Sequence, residues 1–174
     1  IVVLTFGNLR GVKEAGKAFA MPTYFFISCM FIVFSIGIYR NFTGTLEILP
    51  TDQMGAVPLG EGQGLLTFAA IFILLRAFAN GGSSLTGLEA ISDGVALFQQ
   101  PEHVNARRTL FIMSGLLGSL VLGVSWFAHR IYAMPYESGT PTVISQIAKT
   151  IVGDGVFGQI MFVMVQAATM LILF

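Results

Sequence analysis

Four long apolar runs constrain this chain more than any other feature. A helix needs about 20 mostly apolar residues to cross the roughly 30 Å of bilayer hydrocarbon, because each residue adds about 1.5 Å. The predicted helices cover residues 18–39, 62–97, 109–128 and 155–174. Phe, Leu, Ile, Val and Met occupy all faces of the apolar runs, which is typical of helices that face lipid and one another. We therefore predict an all-α integral membrane protein, with residues 1–174 forming a single transmembrane fragment.

The composition argues against other classes of protein. Hydrophobic residues make up 55% of the chain and charged residues only 10%, whereas about a quarter of the residues in a soluble domain are charged. Nine basic residues balance nine acidic ones, so there is no positive field to attract a nucleic acid. A signal peptide has one short apolar core and cannot explain four long runs. Buried helices of a large soluble protein are the remaining structural alternative.

The chain has a single cysteine, and its two ends indicate a longer protein. Cys29 can form no disulfide within the chain and no thiolate metal cluster, so we expect it to be a small packing residue. The chain begins at Ile1 without methionine and stops at Phe174 inside an apolar run. We therefore expect a fragment whose function depends on further parts of the same protein.

The distribution of basic residues predicts the orientation in the membrane. Lys and Arg in short loops are retained on the cytoplasmic side. The loops at residues 5–17 and 98–108 contain five Lys and Arg residues, against three in the other two loops. We therefore predict that these two loops face the cytoplasm of a multi-pass protein in the cell inner membrane.

The long loop before the last apolar run carries the signals of a short helix. Thr140 is a candidate N-cap residue, Pro141 suits the first helical position and Gly153 suits the position that ends the helix. We predict a helix over about residues 141–152 on the outer side of the membrane. An apolar stripe on this helix would either pack on the bundle or form a lid.

Small residues in the third run indicate where helices approach each other. Gly115, Ser119 and Gly123 repeat every four residues and therefore share one helix face. In lipid, small side chains on one face allow a neighbouring backbone to come close. We expect this face to pack against another helix and to carry no chemistry.

The motifs that would indicate an enzyme are incomplete. The segment Gly11–Ala18 resembles a phosphate-binding loop, but it ends in alanine where a hydroxyl must bind magnesium. His103 and His129 lack the HExxH spacing of a zinc site. The serines of Gly81–Ser84 lack the GxSxG pattern and a histidine within the apolar runs. We predict no enzyme activity, no cofactor and no resident metal ion.

The second run contains a polar, glycine-rich interruption near residues 80–84. Asn80, Gly81 and Gly82 begin it, and each glycine disfavours a helix by roughly 1 kcal/mol. Backbone groups left unpaired in such a break need protein or water around them. Secondary transporters bind their substrates at breaks of this kind, where one half-helix ends in free carbonyls and the next begins with free amides.

After the interruption, polar residues recur on one predicted helix face. Ser83, Thr86 and Glu89 are three residues apart and Asp93 follows four later, so they lie within an arc of roughly 120°. A carboxylate within a membrane run costs at least about 2.5 kcal/mol unless it is paired, protonated or hydrated, which makes Glu89 a candidate for proton binding. A structural ion pair is the alternative role for Glu89. Asp93 is expected at a hydrated helix end, and the position of Arg76 is not determined by the sequence.

At these residues the chain resembles permeases of the amino acid–polyamine–organocation (APC) superfamily, and within it the bacterial potassium–proton symporters of the KimA type. The resemblance covers nearly the whole chain, and its motifs are specific when they are taken together. They are NLRGVKEAG at Asn8–Gly16, LRAFANGGSSLTGLEAIS at Leu75–Ser92, the spaced Phe, Pro and NARRTL residues of Phe98–Leu110, and TVISQIAKTIVG at Thr142–Gly153.

The resemblance implies a fold, a site and a substrate. It implies helices five to eight of a LeuT-type bundle, with helix six discontinuous, and the same orientation as the charges predict. It also implies that Thr86 and Glu89 bind a potassium ion and that Glu89 couples its movement to protons. Ser83 is the third candidate ion- or substrate-binding residue. Amino acid permeases of the superfamily typically carry an aromatic residue where this chain has Thr86, which favours potassium as the substrate.

The predicted function is therefore proton-coupled potassium uptake by a secondary active transporter, with potassium and protons as substrates. A proton-coupled amino acid permease of the same fold is the first alternative, and a membrane scaffold or sensor without transport is an alternative of another class. The expected partners are the lipid bilayer and the remaining helices of the same protein, and a homodimer stays open.

Overall fold

The computed structural model describes residues 12–50, 55, 68–82, 86–136 and 138–173, and their side chains except those of residues 12–19, 69 and 88. All regular elements in these ranges are helical, which confirms the all-α prediction. They are α1 (Val12–Phe42), α2 (Phe68–Gly82), α3 (Thr86–Asp93), a 3₁₀ turn (Val95–Leu97), α4 (Glu102–Arg130), α5 (Val143–Val152) and α6 (Val156–Leu173).

Three of these helices are long and apolar enough to cross a membrane, as expected for an all-α membrane protein. The candidate spans are Ala20–Phe42 within α1, the whole of α4 and the whole of α6. The second apolar run is different, because its described residues form the 15-residue α2 and the eight-residue α3. Residues 62–67 of that run and Phe174 of the last one lie outside the described residues.

Two helices extend beyond their apolar runs into the predicted cytoplasmic loops. α1 begins at Val12 and α4 at Glu102, so residues 12–17 and 102–108 are helical and not loop. Lys, Glu, Ala and Arg, which have high helix propensity, are common in both extensions, and nothing requires a helix to end where the hydrocarbon ends. Residues 5–11 of the first loop lie outside the described residues.

The chain divides into two compact units, one of residues 1–57 with 123–174 and one of residues 58–122. In the first unit, α1, α5 and α6 pack against one another, and the end of α4 packs on α1. The largest fully buried side chains among the described residues of this unit are apolar apart from one thiol. They are Cys29, Met30 and Val33 of α1, Phe127 of α4, Ile131 after it, Ile147 and Ile151 of α5, and Val165 of α6.

α1 and α4 interlock through two aromatic rings and two glycines. A Cβ atom added at Gly123 of α4 would overlap the ring of Phe34, and one added at Gly37 of α1 would overlap the ring of Phe127. The two rings stack with their centroids 5.4 Å apart. Gly115, which the sequence groups with Gly123, has no atom within 4 Å of its Cβ position among the described residues. At Gly123, therefore, an aromatic side chain of α1 packs directly on the α4 backbone.

The short helix predicted before the last apolar run is present as α5, but its cap differs from the expectation. Thr142, and not Thr140, is the N-cap, because its side-chain oxygen accepts a hydrogen bond of 3.2 Å from the Ser145 amide. Pro141 therefore precedes the cap and is not the first helical residue. Gly153 ends the helix as predicted, with φ of +75°, and its amide donates to the Lys149 carbonyl at 3.0 Å.

Candidate functional site

The candidate ion site lies where α2 ends and α3 begins. Asn80, Gly81 and Gly82, the first residues of the interruption predicted near residues 80–84, are helical and form the last turn of α2. Ser83 lies outside the described residues, together with residues 84–85. Within the described part of the chain, Cβ atoms at Gly81 and Gly82 would meet nothing within 4 Å. Close packing against other described residues therefore does not explain why glycine occupies both positions.

The two principal site residues share one face of α3. Thr86 and Glu89 are one helical turn apart and Asp93 is one turn further, so the three lie within an arc of about 60°. All three are exposed in the described part of the molecule. Gly87 lies towards α4, where its Cβ position is 4.0 Å from the Met113 methyl group. Because Gly87 is about 100° from Thr86 and further from Glu89, the polar face turns away from α4.

Glu89 has no basic partner among the residues that the structure describes. The alternative of a structural ion pair therefore finds no support within the described ranges. Arg76 is exposed on α2, six residues before the helix ends, or about 9 Å along its axis. It also has no ion-pair partner in those ranges. The two charges stand on different helices, on either side of the junction in sequence.

The junction offers oxygen ligands of the kind that a hard cation prefers. The last carbonyls of α2 lack partners within that helix, and Thr86 adds a hydroxyl and Glu89 a carboxylate. Carbonyl, hydroxyl and carboxylate oxygens can replace part of the water shell of an alkali ion. Clusters of three His, Cys, Asp or Glu residues are absent from the described residues, so these offer no transition-metal site.

A second polar feature, which the sequence did not indicate, attaches α5 to α1. The Arg40 guanidinium, near the end of α1, donates through Nη1 to the Thr150 carbonyl at 3.2 Å and to the Ile151 carbonyl at 2.8 Å. These carbonyls belong to the last turn of α5, where a positive charge is favoured by the helix dipole. A lone arginine after an apolar run carries no signal of this contact, because its partners are backbone atoms 110 residues away.

A buried glutamine holds the loop before α5 in place. Gln146 accepts a hydrogen bond from the Met134 amide at 3.1 Å and donates to the Met134 carbonyl at 2.7 Å. It also donates to the Pro141 carbonyl at 3.1 Å. The side chain is only 6% exposed. It supplies hydrogen-bond partners to buried backbone groups of two loop segments, which would otherwise remain unpaired.

At the other end of α5, Lys149 forms an ion pair with Asp154 at 2.6 Å. The hydrogen bond from Lys149, together with its charge, lowers the pKa of the Asp154 carboxyl below its ordinary value of 3.8. Asp154 lies in the exposed turn between α5 and α6, outside the membrane spans. It is therefore ionised throughout the physiological range of pH.

Comparison with known proteins identifies a relative but no family profile. No protein-family profile matches the chain. Over 173 residues, 99% of the chain, the sequence is 34% identical to the potassium transporter KimA of Bacillus subtilis (strain 168). The chain spans about a quarter of the length of that protein, 26%. Similarity of this extent supports a relationship to a transporter family.

Proposed function

We propose that the chain is the part of a secondary active transporter that carries a potassium and proton site, between α2 and α3. The similarity to a potassium transporter over 99% of the chain carries this proposal. Two features of the molecule support it: three helices long enough to cross a bilayer, and a further apolar run, the second, whose described residues form the two helices α2 and α3. An acidic residue in such a run is costly unless it is paired, protonated or hydrated, and Glu89 is therefore a functional candidate.

In this proposal Thr86 and Glu89 have complementary roles. The Thr86 hydroxyl and the last carbonyls of α2 supply neutral oxygens to the potassium ion, and Glu89 carries the proton. Symport requires ion and proton to be bound together, so the ion cannot depend on the Glu89 charge alone. A protonated carboxyl keeps a carbonyl oxygen as a ligand. Ser83 and the helices outside this chain supply the remaining ligands.

The proposed setting is an APC-type permease with a LeuT-type bundle in the cell inner membrane, in which α2 and α3 form the discontinuous helix. Residues 5–17 and 98–108 face the cytoplasm, because their basic residues oppose translocation. Rocking of this helix against the rest of the bundle would alternate access to the site.

The test is ion uptake by the full-length protein in proteoliposomes. An inward proton gradient should drive accumulation of radioactive rubidium as a potassium substitute, and unlabelled potassium should compete with it. Glu89→Gln should abolish the part of the uptake that the proton gradient drives, and Thr86→Val should raise the apparent KM for potassium. Asp93→Asn, one turn further on the same face of α3, is the matched control and should leave both unchanged.

Three outcomes would contradict the proposal. Accumulation of a labelled amino acid without rubidium would indicate the amino acid permease. Absence of both, with normal growth of a deletion strain on limiting potassium, would indicate a scaffold or sensor. Wild-type proton dependence in Glu89→Gln would remove the coupling role of Glu89 while leaving potassium transport intact.

A further inference from the structure

One end of α4 combines cationic and apolar side chains around a single open cavity. This cavity has a volume of about 540 Å³, within the roughly 300–1,000 Å³ typical of sites for small molecules. Its described lining comes entirely from the first three turns of α4. The lining residues are His103, Val104, Arg107, Arg108, Phe111 and Ile112.

The order of these side chains along the helix follows the order of chemical groups across one lipid leaflet. Arg107 and Arg108 come immediately before the uncharged run that starts at Thr109, so they lie at the edge of the hydrocarbon. Phe111 and Ile112 lie one turn deeper, directly below them at the i+4 positions. A ligand with an anionic headgroup and apolar tails would place the headgroup at the two arginines and a tail against Phe111 and Ile112.

The charges on this face are not neutralised within the described part of the chain. Arg107 and Arg108 are exposed, and neither has an ion pair or hydrogen bond with a described residue. Glu102, at the start of α4, lines a neighbouring cavity with His103 and does not pair with either arginine. Phe111 and Ile112 are 80% and 60% exposed, so the apolar part is also uncovered in this unit.

From this arrangement we infer that the end of α4 binds an anionic phospholipid, with its phosphate between Arg107 and Arg108 and an acyl chain along Phe111 and Ile112. Guanidinium groups bind phosphate oxygens in a two-point geometry that lysine cannot reproduce. Retention of positive loops in the cytoplasm explains the two charges but not the apolar cavity beneath them. The inference does not depend on the transported substrate, because it concerns the outer surface of a spanning helix.

The test is lipid binding to the full-length protein by native mass spectrometry, with phosphatidylglycerol and phosphatidylcholine as probes. Phosphatidylglycerol should bind more tightly, and Arg107→Gln with Arg108→Gln should weaken it about 25-fold, since each juxtamembrane cation contributes about fivefold. Arg130→Gln, at the opposite end of the same helix, is the matched control and should have little effect. Arg107→Lys with Arg108→Lys should retain most of the charge-dependent affinity and lose the two-point part.

Separate arms distinguish a lipid from other occupants. Glycerophosphoglycerol, which is the headgroup without acyl chains, should not compete, and Phe111→Ala should weaken lipid binding without changing the preference for an anionic headgroup. Competition by the free headgroup at the affinity of the lipid would overturn the proposal in favour of an anion site. Equal binding of both lipids, or unchanged binding in the double glutamine variant, would show that other helices of the protein cover this surface. Rubidium uptake is measured on the same variants, so that a failure of lipid binding can be distinguished from a failure of the proposed transport.

Discussion

At the scale of single residues, Gly123 allows α4 to approach α1. A methyl group there would overlap the Phe34 ring, so Gly123→Ala should destabilise the full-length protein by about 1–3 kcal/mol through overpacking. Gly115→Ala, on the same face of the same helix, meets no atom of the described residues within 4 Å and should be neutral or stabilising, because alanine is the better helix former. Thermal unfolding in detergent measures both variants. Equal shifts of Tm would show that the Phe34 ring moves aside at little cost.

The Lys149–Asp154 pair predicts a pH dependence confined to acid conditions. The pKa of Asp154 is lowered first by the hydrogen bond from Lys149 and then by its charge. The pair therefore stabilises the folded state fully above the ordinary pKa of the carboxyl, and this contribution is lost as the pH falls through the lowered value. The difference in Tm between wild type and Asp154→Asn should be constant from neutral pH to about pH 5 and should shrink at lower pH.

The control for this measurement removes the other partner. In a Lys149→Met background, Asp154→Asn should change Tm equally at all of these pH values, because the carboxyl has lost the group that lowers its pKa. A difference that persists with the same acid dependence in this background would assign the effect to another group.

At the scale of elements, Arg40 contributes to the attachment of α5 to α1. Arg40→Met removes the two hydrogen bonds to the Thr150 and Ile151 carbonyls, each between a charged donor and backbone. We expect amide exchange in α5 to accelerate by about tenfold or more, since hydrogen bonds to charged groups contribute about 1.5–3 kcal/mol. Hydrogen exchange with peptide resolution measures this, and α6 peptides serve as the internal reference.

The matched variant is Arg130→Met, whose guanidinium, among the described residues, donates only to the half-buried Asn41 side chain, at 2.8 Å. It should leave α5 exchange unchanged. Acceleration of the same size in both variants would show that α5 responds to loss of charge near the surface rather than to loss of the contact with its last turn.

The helices show which features a sequence pattern can predict. The end of α5 was predicted correctly because Gly153 acts locally, through a positive φ that glycine tolerates. Its start was wrong, because Thr140 and Thr142 are equally good caps by local rules. The Gln146 side chain binds the Pro141 carbonyl and Met134, which places residue 141 in the loop before the helix. A contact of this kind leaves no periodic pattern in the sequence from which it could be predicted.

At the candidate site, too, local features can be predicted from the sequence and features that depend on distant residues cannot. Periodicity alone places Thr86 and Glu89 on one face, and the helical α3 has them there. The glycines and polar residues predict an interruption near residues 80–84, but Asn80, Gly81 and Gly82 belong to α2. Glycine is disfavoured within a helix and yet permitted in its last turn, so composition alone does not fix where the helix ends. In the proposed transporter, other helices of the full-length protein supply the remaining ligands of the ion site, and no pattern within residues 1–174 specifies them.

At the scale of the whole molecule, the orientation of α4 connects the ion site, the proposed lipid site and the direction of transport. α4 has 29 residues and is therefore about 43 Å long, enough to place its two ends on opposite sides of a bilayer. Gln100 precedes it and Ser138 follows it, and both are exposed. If basic loops remain inside, Gln100 lies in the cytoplasm, on the same side as Arg107 and Arg108, and Ser138 lies outside.

Cysteine labelling of the full-length protein in intact cells tests this orientation. Cys29 is 2% exposed and should not react, so thiols introduced at Gln100 and Ser138 report their own positions once other accessible cysteines are removed. A membrane-impermeant maleimide should label Ser138→Cys from outside, and Gln100→Cys only after permeabilisation. The reverse pattern would place the arginines of the proposed lipid site in the outer leaflet and contradict the predicted topology. Labelling of both from outside would show that α4 does not cross the membrane.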